Sequence, residues 1–436
     1  MMTIKWSAED GLMKSVNKIS FLTYGCKVNQ VDTDRMISVL SSDYKILDSY
    51  TTADLCIVNT CTVTNNSDNQ ILNDIKKIKK RNPLCKVLVT GCLAQTDPSF
   101  LETLSTIDYV VDNANKYLIP KFLKNLDNSK KIISNIFDID KFHDYEINSR
   151  DTRSRAFLKI QDGCNYRCSF CIIPFARGKS RSMELDSVLQ KIDKYKGLGY
   201  EEVVLTGIHL SSYGKDIGES LLGLLESIES KSTIQNIRLS SIDPADTDKK
   251  LIDFISKSNK ICPSFHISLQ SGEDDTLREM RRRYKVSDFQ EIINEIRFRI
   301  PDSCIGTDVI AGFPGESEPS FSQTFNFLEK SELNYFHVFP YSDRKGTRAT
   351  QRKDKVSTTV KSKRSKLLRD LSDKKKQEFY SRFIGKELEA IVEKNNKART
   401  RNYIDVNLDG ESLVPGSLVN LLIKEVKNMK AYGCKI

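Results

Sequence analysis

The sequence predicts an α/β protein in three parts. These are an amino-terminal parallel α/β domain over residues 17–127, a central partial (β/α)6 barrel over 150–380, and a small β-barrel over 383–436. Three observations carry this reading. Short apolar runs alternate with helical patterns through the first part, which argues a parallel sheet covered on both faces. Six further strand–helix units follow in order, too few for a complete eight-fold barrel but suited to an open one. Beyond Gly385 the chain changes character and alternates apolar with polar residues, with turns at Asp409-Gly410 and Pro415-Gly416.

In the first part, strands are expected at 18–24, 54–60, 86–90 and 109–112, with helices over 29–40 and 68–80 between them. A polar stretch over 128–151 reads as a linker. The barrel strands begin near Ala156, Glu201, Asn236, Ser264, Cys304 and Asn334. Helical patterns cover 185–198, 221–228, 287–299 and 319–330. Tail strands are expected at 387–393, 403–408 and 417–424.

The cysteines point to chemistry. Cys164, Cys168 and Cys171 stand in the spacing C-x3-C-x2-C on one short loop after the first barrel strand, where catalytic groups of such folds gather. Three thiolates ligate three irons of a 4Fe-4S cube and leave the fourth open to a small molecule. A zinc site usually wants four protein ligands, and no fourth lies nearby. A disulfide framework suits small secreted domains, not a chain of 436 residues without an apolar signal segment. Cys26, Cys61 and Cys92 each fall just past the carboxyl end of a strand, the edge where open α/β sheets bind ligands. They can meet there, or be three unrelated strand-end thiols. Cys56 and Cys85 lie within or before apolar strands and read as small buried hydrophobes.

Composition sets the frame. With 39% apolar residues the chain can bury ample core, and no run approaches the roughly eighteen apolar residues of a membrane span. A soluble cytoplasmic protein is expected, with eleven cysteines serving metal or redox chemistry. Of a net charge of +10, much lies between Arg344 and Lys376, where fourteen Lys or Arg face three Asp. Such a run is either a solvated connector or an attraction to a phosphate backbone. Arg399, Arg401 and Tyr403 on the tail offer either an RNA contact or an ordinary strand face.

Gly25-Cys-Lys-Val-Asn-Gln30, Asn59-Thr-Cys-Thr-Val-Thr64 and Thr90-Gly-Cys-Leu-Ala-Gln95 resemble the three cysteine motifs of the radical S-adenosylmethionine (SAM) methylthiotransferases. Ile160-Gln-Asp-Gly-Cys164 through Gly178 resembles that family's SAM-cluster loop, and the tail its RNA-binding TRAM barrel. Gly25–Gln30, Thr62–Thr64 and Leu205-Thr-Gly-Ile-His-Leu210 are most like the branch acting on threonylcarbamoyladenosine in tRNA.

The resemblance implies an enzyme that replaces the C2 hydrogen of that adenine, beside the anticodon, with a methylthio group. Cys164, Cys168 and Cys171 would hold the cluster that cleaves SAM to a 5′-deoxyadenosyl radical. Cys26, Cys61 and Cys92 would hold an auxiliary 4Fe-4S cluster that delivers sulfur. The partners implied are tRNA, an electron donor of flavodoxin or ferredoxin type, and a sulfur donor. Rival readings are a methylthiotransferase of isopentenyladenosine tRNA or of a ribosomal-protein side chain, and a noncatalytic iron–sulfur RNA-binding protein.

The hard chemistry belongs to the cofactors, so no catalytic residue is assigned beyond the cluster ligands. Gly207 and Gly312 follow barrel strands, where glycine permits close backbone approach to SAM. Gln270-Ser-Gly272 offers a hydrogen bond to substrate or cofactor. Arg177 and Arg181 meet a carboxylate or phosphate, or pair with local acids. His209, His266 and His337 read as packing histidines.

Overall fold

The computed structural model describes residues 16–124, 130–147, 153–410 and 412–436. In its first part, β1 (Lys18–Thr23), β2 (Lys45–Leu47), β3 (Leu55–Thr60), β4 (Lys86–Gly91), β5 (Tyr109–Val111) and β6 (Lys131–Ile132) form one sheet in the order β2-β1-β3-β4-β5-β6. Every pairing is parallel. The central strand β3 is buried at every residue and serves both faces. Its Cys56 and Val58 join Ile71, Ile75 and Ile78 of α2 (Asn65–Arg81) on one side. Leu55 and Ile57 join Met36 and Leu40 of α1 (Lys27–Leu40) on the other. That is the period-two alternation of a strand meeting two helical stripes. Short helices α3 (Cys92–Thr96), α4 (Pro98–Glu102) and α5 (Ile119–Leu123) complete the wrap.

The stretch expected as a linker is only partly one. Residues 128–129 and 148–151 of it lie outside the described residues. Between them the chain adds β6 to the sheet edge and buries Ile136, Tyr145 and Ile147, the last two in the barrel core. Two-residue strands and isolated apolar residues leave no periodicity to read.

The central part contains β7 (Ala156–Lys159), β8 (Gln161–Asp162), α6 (Ile173–Arg177), β9 (Arg181–Ser182), α7 (Leu185–Gly197), β10 (Glu202–Thr206), α8 (Leu221–Lys231) and β11 (Asn236–Leu239). It continues through α9 (Lys249–Lys257), β12 (Ser264–His266), α10 (Asp274–Glu279), α11 (Val286–Arg299), β13 (Cys304–Ala311), α12 (Glu318–Lys330) and β14 (Tyr335–Pro340). Parallel sheets β11-β10-β7 and β12-β13-β14 are joined by parallel bridges at Ile237–Ile261 and Ile242–Ile267. The result is an open six-stranded arc, with β8 and β9 pairing as a ribbon beside the cysteine loop.

Helix α13 (Thr358–Ser381) carries much of the basic segment. Its Phe379 and Tyr380, with Phe383 and barrel residue Cys304, enter the core of the tail. The tail is a closed barrel in the order β15-β16-β17-β19-β18, from β15 (Glu387–Glu393), β16 (Lys397–Thr400), β17 (Asp405–Leu408), β18 (Leu418–Lys427) and β19 (Lys430–Lys435). Strands β16 and β19 are additions to the expected set, since Lys397-Ala-Arg-Thr400 shows no apolar alternation. Among the described residues, no helix is long and apolar enough to cross a membrane.

Candidate metal centres and the chamber between them

The loop triad is pinned by backbone. The Cys164 amide donates to the Gly178 carbonyl at 3.0 Å, Ser169 to Met280 at 3.0 Å, and Cys171 to Cys168 at 3.1 Å. Gly163 has φ +73°, and a Cβ there would lie 1.8 Å from the Lys179 carbonyl oxygen, so only glycine fits. The Arg282 guanidinium donates to Cys168 Sγ at 3.3 Å, and the Tyr166 amide lies 3.4 Å from Cys164 Sγ. Burial, then the neighbouring Cys168 and Cys164, push the Cys171 thiol up to about 12.

The strand-end triad is pinned by a polar layer. Cys26 follows β1 and caps α1, Cys61 follows β3, and Cys92 opens α3 after β4. Asn29 Nδ2 donates to the carbonyls of Tyr24 (2.8 Å) and Thr60 (2.9 Å), and Asn59 Nδ2 to the Asn29 carbonyl (2.8 Å). Thr60 Oγ1 donates to Thr90 O at 2.6 Å and accepts from the Leu93 amide at 3.1 Å. Gly25 and Gly91, at φ +95° and +96°, let these ends close; a Cβ on Gly25 would lie 2.7 Å from Cys61 Cβ. Burial, then Cys92 and Cys26, push Cys61 up to about 11.

The loop triad, and Cys26 and Cys61 of the strand-end triad, line two adjoining cavities. A cavity of about 410 Å³ is lined by Cys164, Cys168, Cys171, Gly207, His209 and Arg282. A second, of about 660 Å³, is lined by Cys26, Cys61, Arg155, Arg238, His266 and Tyr335. They share Cys26, Lys27, Val63, Ser240, Ser241 and Asp308 as common wall. Cys92 sits behind this wall, 4% exposed, its sulfur 3.5 Å from Asn113 Nδ2.

Gly207 lines the first cavity, against Gln161, whose Oε1 accepts the His209 amide at 2.8 Å. Gly312 is not among its lining residues. It lies under Lys361 of α13 and its amide donates to Glu316 Oε1 at 3.0 Å. Gln270 lines the cavity with φ +73°, a conformation costly for a non-glycine residue. Arg177 is buried against Asp32 (2.9 Å) and Asp162, and Arg181 donates to the Arg177 and Lys179 carbonyls.

His209, His266 and His337 are each matched to an acid. His209 Nε2 lies 3.2 Å from Asp246 Oδ2. Burial opposes its protonation, but Asp246 and Cys164 outweigh that and raise it to about 9. His266 Nε2 lies 2.9 Å and His337 Nδ1 3.4 Å from Asp308 Oδ1, with the two rings stacked at 4.9 Å. On the tail, Arg399 pairs with Asp405, Arg401 reaches the Asn259 carbonyl, and Tyr403 stacks on Tyr335 at 6.1 Å. Arg401 and Tyr403 tie the tail to the barrel, while the Arg399 pair stays within the tail.

Asp32 of α1 joins the two larger domains, meeting Lys116 (3.0 Å), Lys159 of β7 and Arg177 (2.9 Å). A second tie runs from Arg344 to Asp68 and to the Val63 carbonyl (3.2 Å).

A family model described as the radical SAM superfamily matches residues 158–328, and one described as uncharacterized protein family UPF0004 matches 18–112. The threonylcarbamoyladenosine tRNA methylthiotransferase MtaB of Aquifex aeolicus is 41% identical over 93% of this chain and 100% of its own. That of Bacillus subtilis is 34% identical over 93% of each. The chain belongs to the radical SAM methylthiotransferase family. A tRNA-2-methylthio-N(6)-dimethylallyladenosine synthase of Acetivibrio thermocellus is also similar, 31% identical over 94% of this chain and 89% of its own. Among solved structures, the radical SAM methyltransferase TsrM of Kitasatospora setae shares the fold, with TM-score 0.58 at 14% identity over 77% of each chain.

The family uses SAM and two 4Fe-4S clusters. Both triads fit such clusters. Each supplies three cysteines with no disulfide among them, and soft thiolate sulfur is the ligand an iron–sulfur cluster takes. Cys164, Cys168 and Cys171, and Cys26 and Cys61, also face cavity space.

Proposed function

We infer that this protein methylthiolates C2 of N6-threonylcarbamoyladenosine beside the anticodon of tRNA. The observation that carries the reading is the shared wall. Residues of both triads line adjoining cavities with a common wall, so one substrate atom held there is near both. We assign Cys164, Cys168 and Cys171 to the SAM-binding cluster, and Cys26, Cys61 and Cys92 to the auxiliary one. When bound, the clusters and SAM supply radical abstraction of the C2 hydrogen and the sulfur that replaces it.

The chain's own residues bind and orient. Arg282 places a buried cation at Cys168 and stabilises sulfur negative charge there. Gln161 holds the backbone at Gly163 (2.8 Å) and His209 (2.8 Å), keeping Gly207 open to a close ligand. Asp32, bridging α1 to β7, fixes one triad relative to the other.

The exposed Lys345, Arg348, Lys353, Lys363, Lys366 and Lys374 offer contacts to RNA phosphates. Arg344 and Arg364 are spent inside the fold, on Asp68 and on Glu316 (2.7 Å). The target base must leave its stacked loop to reach the chamber. An electron donor of flavodoxin or ferredoxin type and a separate sulfur donor complete turnover in this reading.

The test is nucleoside mass spectrometry of tRNA from cells lacking the gene. Threonylcarbamoyladenosine should accumulate without its methylthio form. Persistence of that form, or loss of the methylthio-isopentenyl nucleoside instead, would contradict the reading.

A further inference from the structure

Lys27 directly follows Cys26 and lies on the wall shared by the two cavities. Among the described residues, no carboxylate lies within ion-pair distance of its ammonium group, although the surroundings are rich in charge. Arg155, Arg399 and Arg238 are near enough to repel it. Those three arginines are already matched. Arg155 pairs with Glu393 at 2.7 Å, Arg238 with Glu202 at 2.8 Å, and Arg399 with Asp405 at 2.6 Å. The remaining acid on this wall, Asp308, is taken by His266 and His337. Lys27 is thus a partly buried cation facing a cavity with its charge unspent, an arrangement that disfavours itself until an anion arrives.

The substrate brings an anion. The threonylcarbamoyl group ends in a carboxylate, whereas an isopentenyl group is apolar. C2 and N6 both lie on the Watson–Crick edge of adenine. A base with C2 at the common wall therefore extends its N6 substituent along the cavities beside Lys27. We propose that Lys27 is a specificity residue that binds the carboxylate of the threonylcarbamoyl substituent and so selects this modified adenine over one with an uncharged N6 group. The proposal rests on the substrate reading above. Its competitor is a role confined to balancing the thiolates beside it.

The test uses anaerobically reconstituted full-length protein and three anticodon stem-loop RNAs, carrying threonylcarbamoyladenosine, isopentenyladenosine or plain adenosine at the target position. Binding constants are measured for wild type, Lys27→Met and Lys27→Arg, together with iron and sulfide content. Wild type should prefer the threonylcarbamoyl RNA. Lys27→Met should weaken that RNA roughly 10- to 100-fold, the range of a lost buried charge pair. It should leave the other two RNAs and the iron content unchanged, and Lys27→Arg should restore most of the preference. An undiminished preference in Lys27→Met, an equal loss on all three RNAs, or loss of the auxiliary irons from both variants would overturn the proposal. Absence of any wild-type preference would instead strike the substrate reading on which it rests.

Discussion

Cys164, Cys168 and Cys171 stand on one loop, held by hydrogen bonds from the Cys164 and Ser169 amides to the Gly178 and Met280 carbonyls. Cys26, Cys61 and Cys92 come from the ends of three parallel strands, drawn together by Asn29, Asn59 and Thr60. The first triad is therefore a property of local sequence, and the second a property of the sheet. Damage to strand register should open the second while sparing the first. Damage to the loop should do the reverse. Each prediction below breaks or sharpens that contrast.

The largest effects come from the cysteines. Replacing Cys26 and Cys61 by Ala should abolish methylthiolation while reductive formation of 5′-deoxyadenosine from SAM continues. Replacing Cys168 should abolish both. Product analysis by liquid chromatography and mass spectrometry separates the two outcomes. Equal loss of deoxyadenosine in both variants would mean that the triads are not independent.

Gly25→Ala comes next. Its φ of +95° and the 2.7 Å approach to Cys61 leave no room for a methyl group. The conformational penalty alone is about 1–2 kcal/mol. The auxiliary irons should be lost selectively, with those of the loop retained, as read by iron analysis.

Asp32→Asn tests the ionic tie between the two domains. It would leave Lys116, Lys159 and Arg177 without their shared carboxylate, at a cost of about 3–5 kcal/mol in thermal or denaturant unfolding. Burial opposes ionisation of Asp32, but Lys116, Lys159 and Arg177 together hold its carboxyl well below the usual carboxylate range. Its contribution is thus full above about pH 4 and is lost as pH falls through the lower folded value. The variant should lose that part of the wild-type acid dependence. An unchanged midpoint and pH profile would remove Asp32 from the account.

Arg282→Met should lower deoxyadenosine formation roughly 10- to 100-fold, the usual penalty for removing a partner of a metal ligand, without touching the auxiliary irons. Smallest is Lys366→Ala on α13. It should weaken tRNA binding uniformly and reduce the salt slope by about 1, as loss of one phosphate contact does. A change confined to one tRNA would argue a specific contact instead.

The loop triad was legible from spacing alone. The strand-end triad became legible only once β1, β3 and β4 were read from their apolar runs, because the cysteines are far apart in sequence. Strands β2 and β6, of three and two residues, carry no period and emerge only from pairing with their neighbours. Gly207 lines the chamber, while Gly312, singled out by the same rule, lies under Lys361. A glycine after a barrel strand does not reveal which way its loop turns. Asp308 and Arg282 were not legible as site residues, since each matters through partners far off in the chain. The acids that the histidines pair with are hidden for the same reason: His266 and His337 both reach Asp308 on the strand between theirs.

Iron and sulfide analysis with Mössbauer spectroscopy, after anaerobic reconstitution, tests the central claim most directly. Wild type should hold roughly eight irons in two four-iron clusters. A variant lacking Cys26, Cys61 and Cys92 should keep about half, and so should one lacking Cys164, Cys168 and Cys171, each showing one remaining cluster type. Zinc in place of iron, a single cluster in wild type, or loss of all iron from either variant would contradict two separate sites on one chamber.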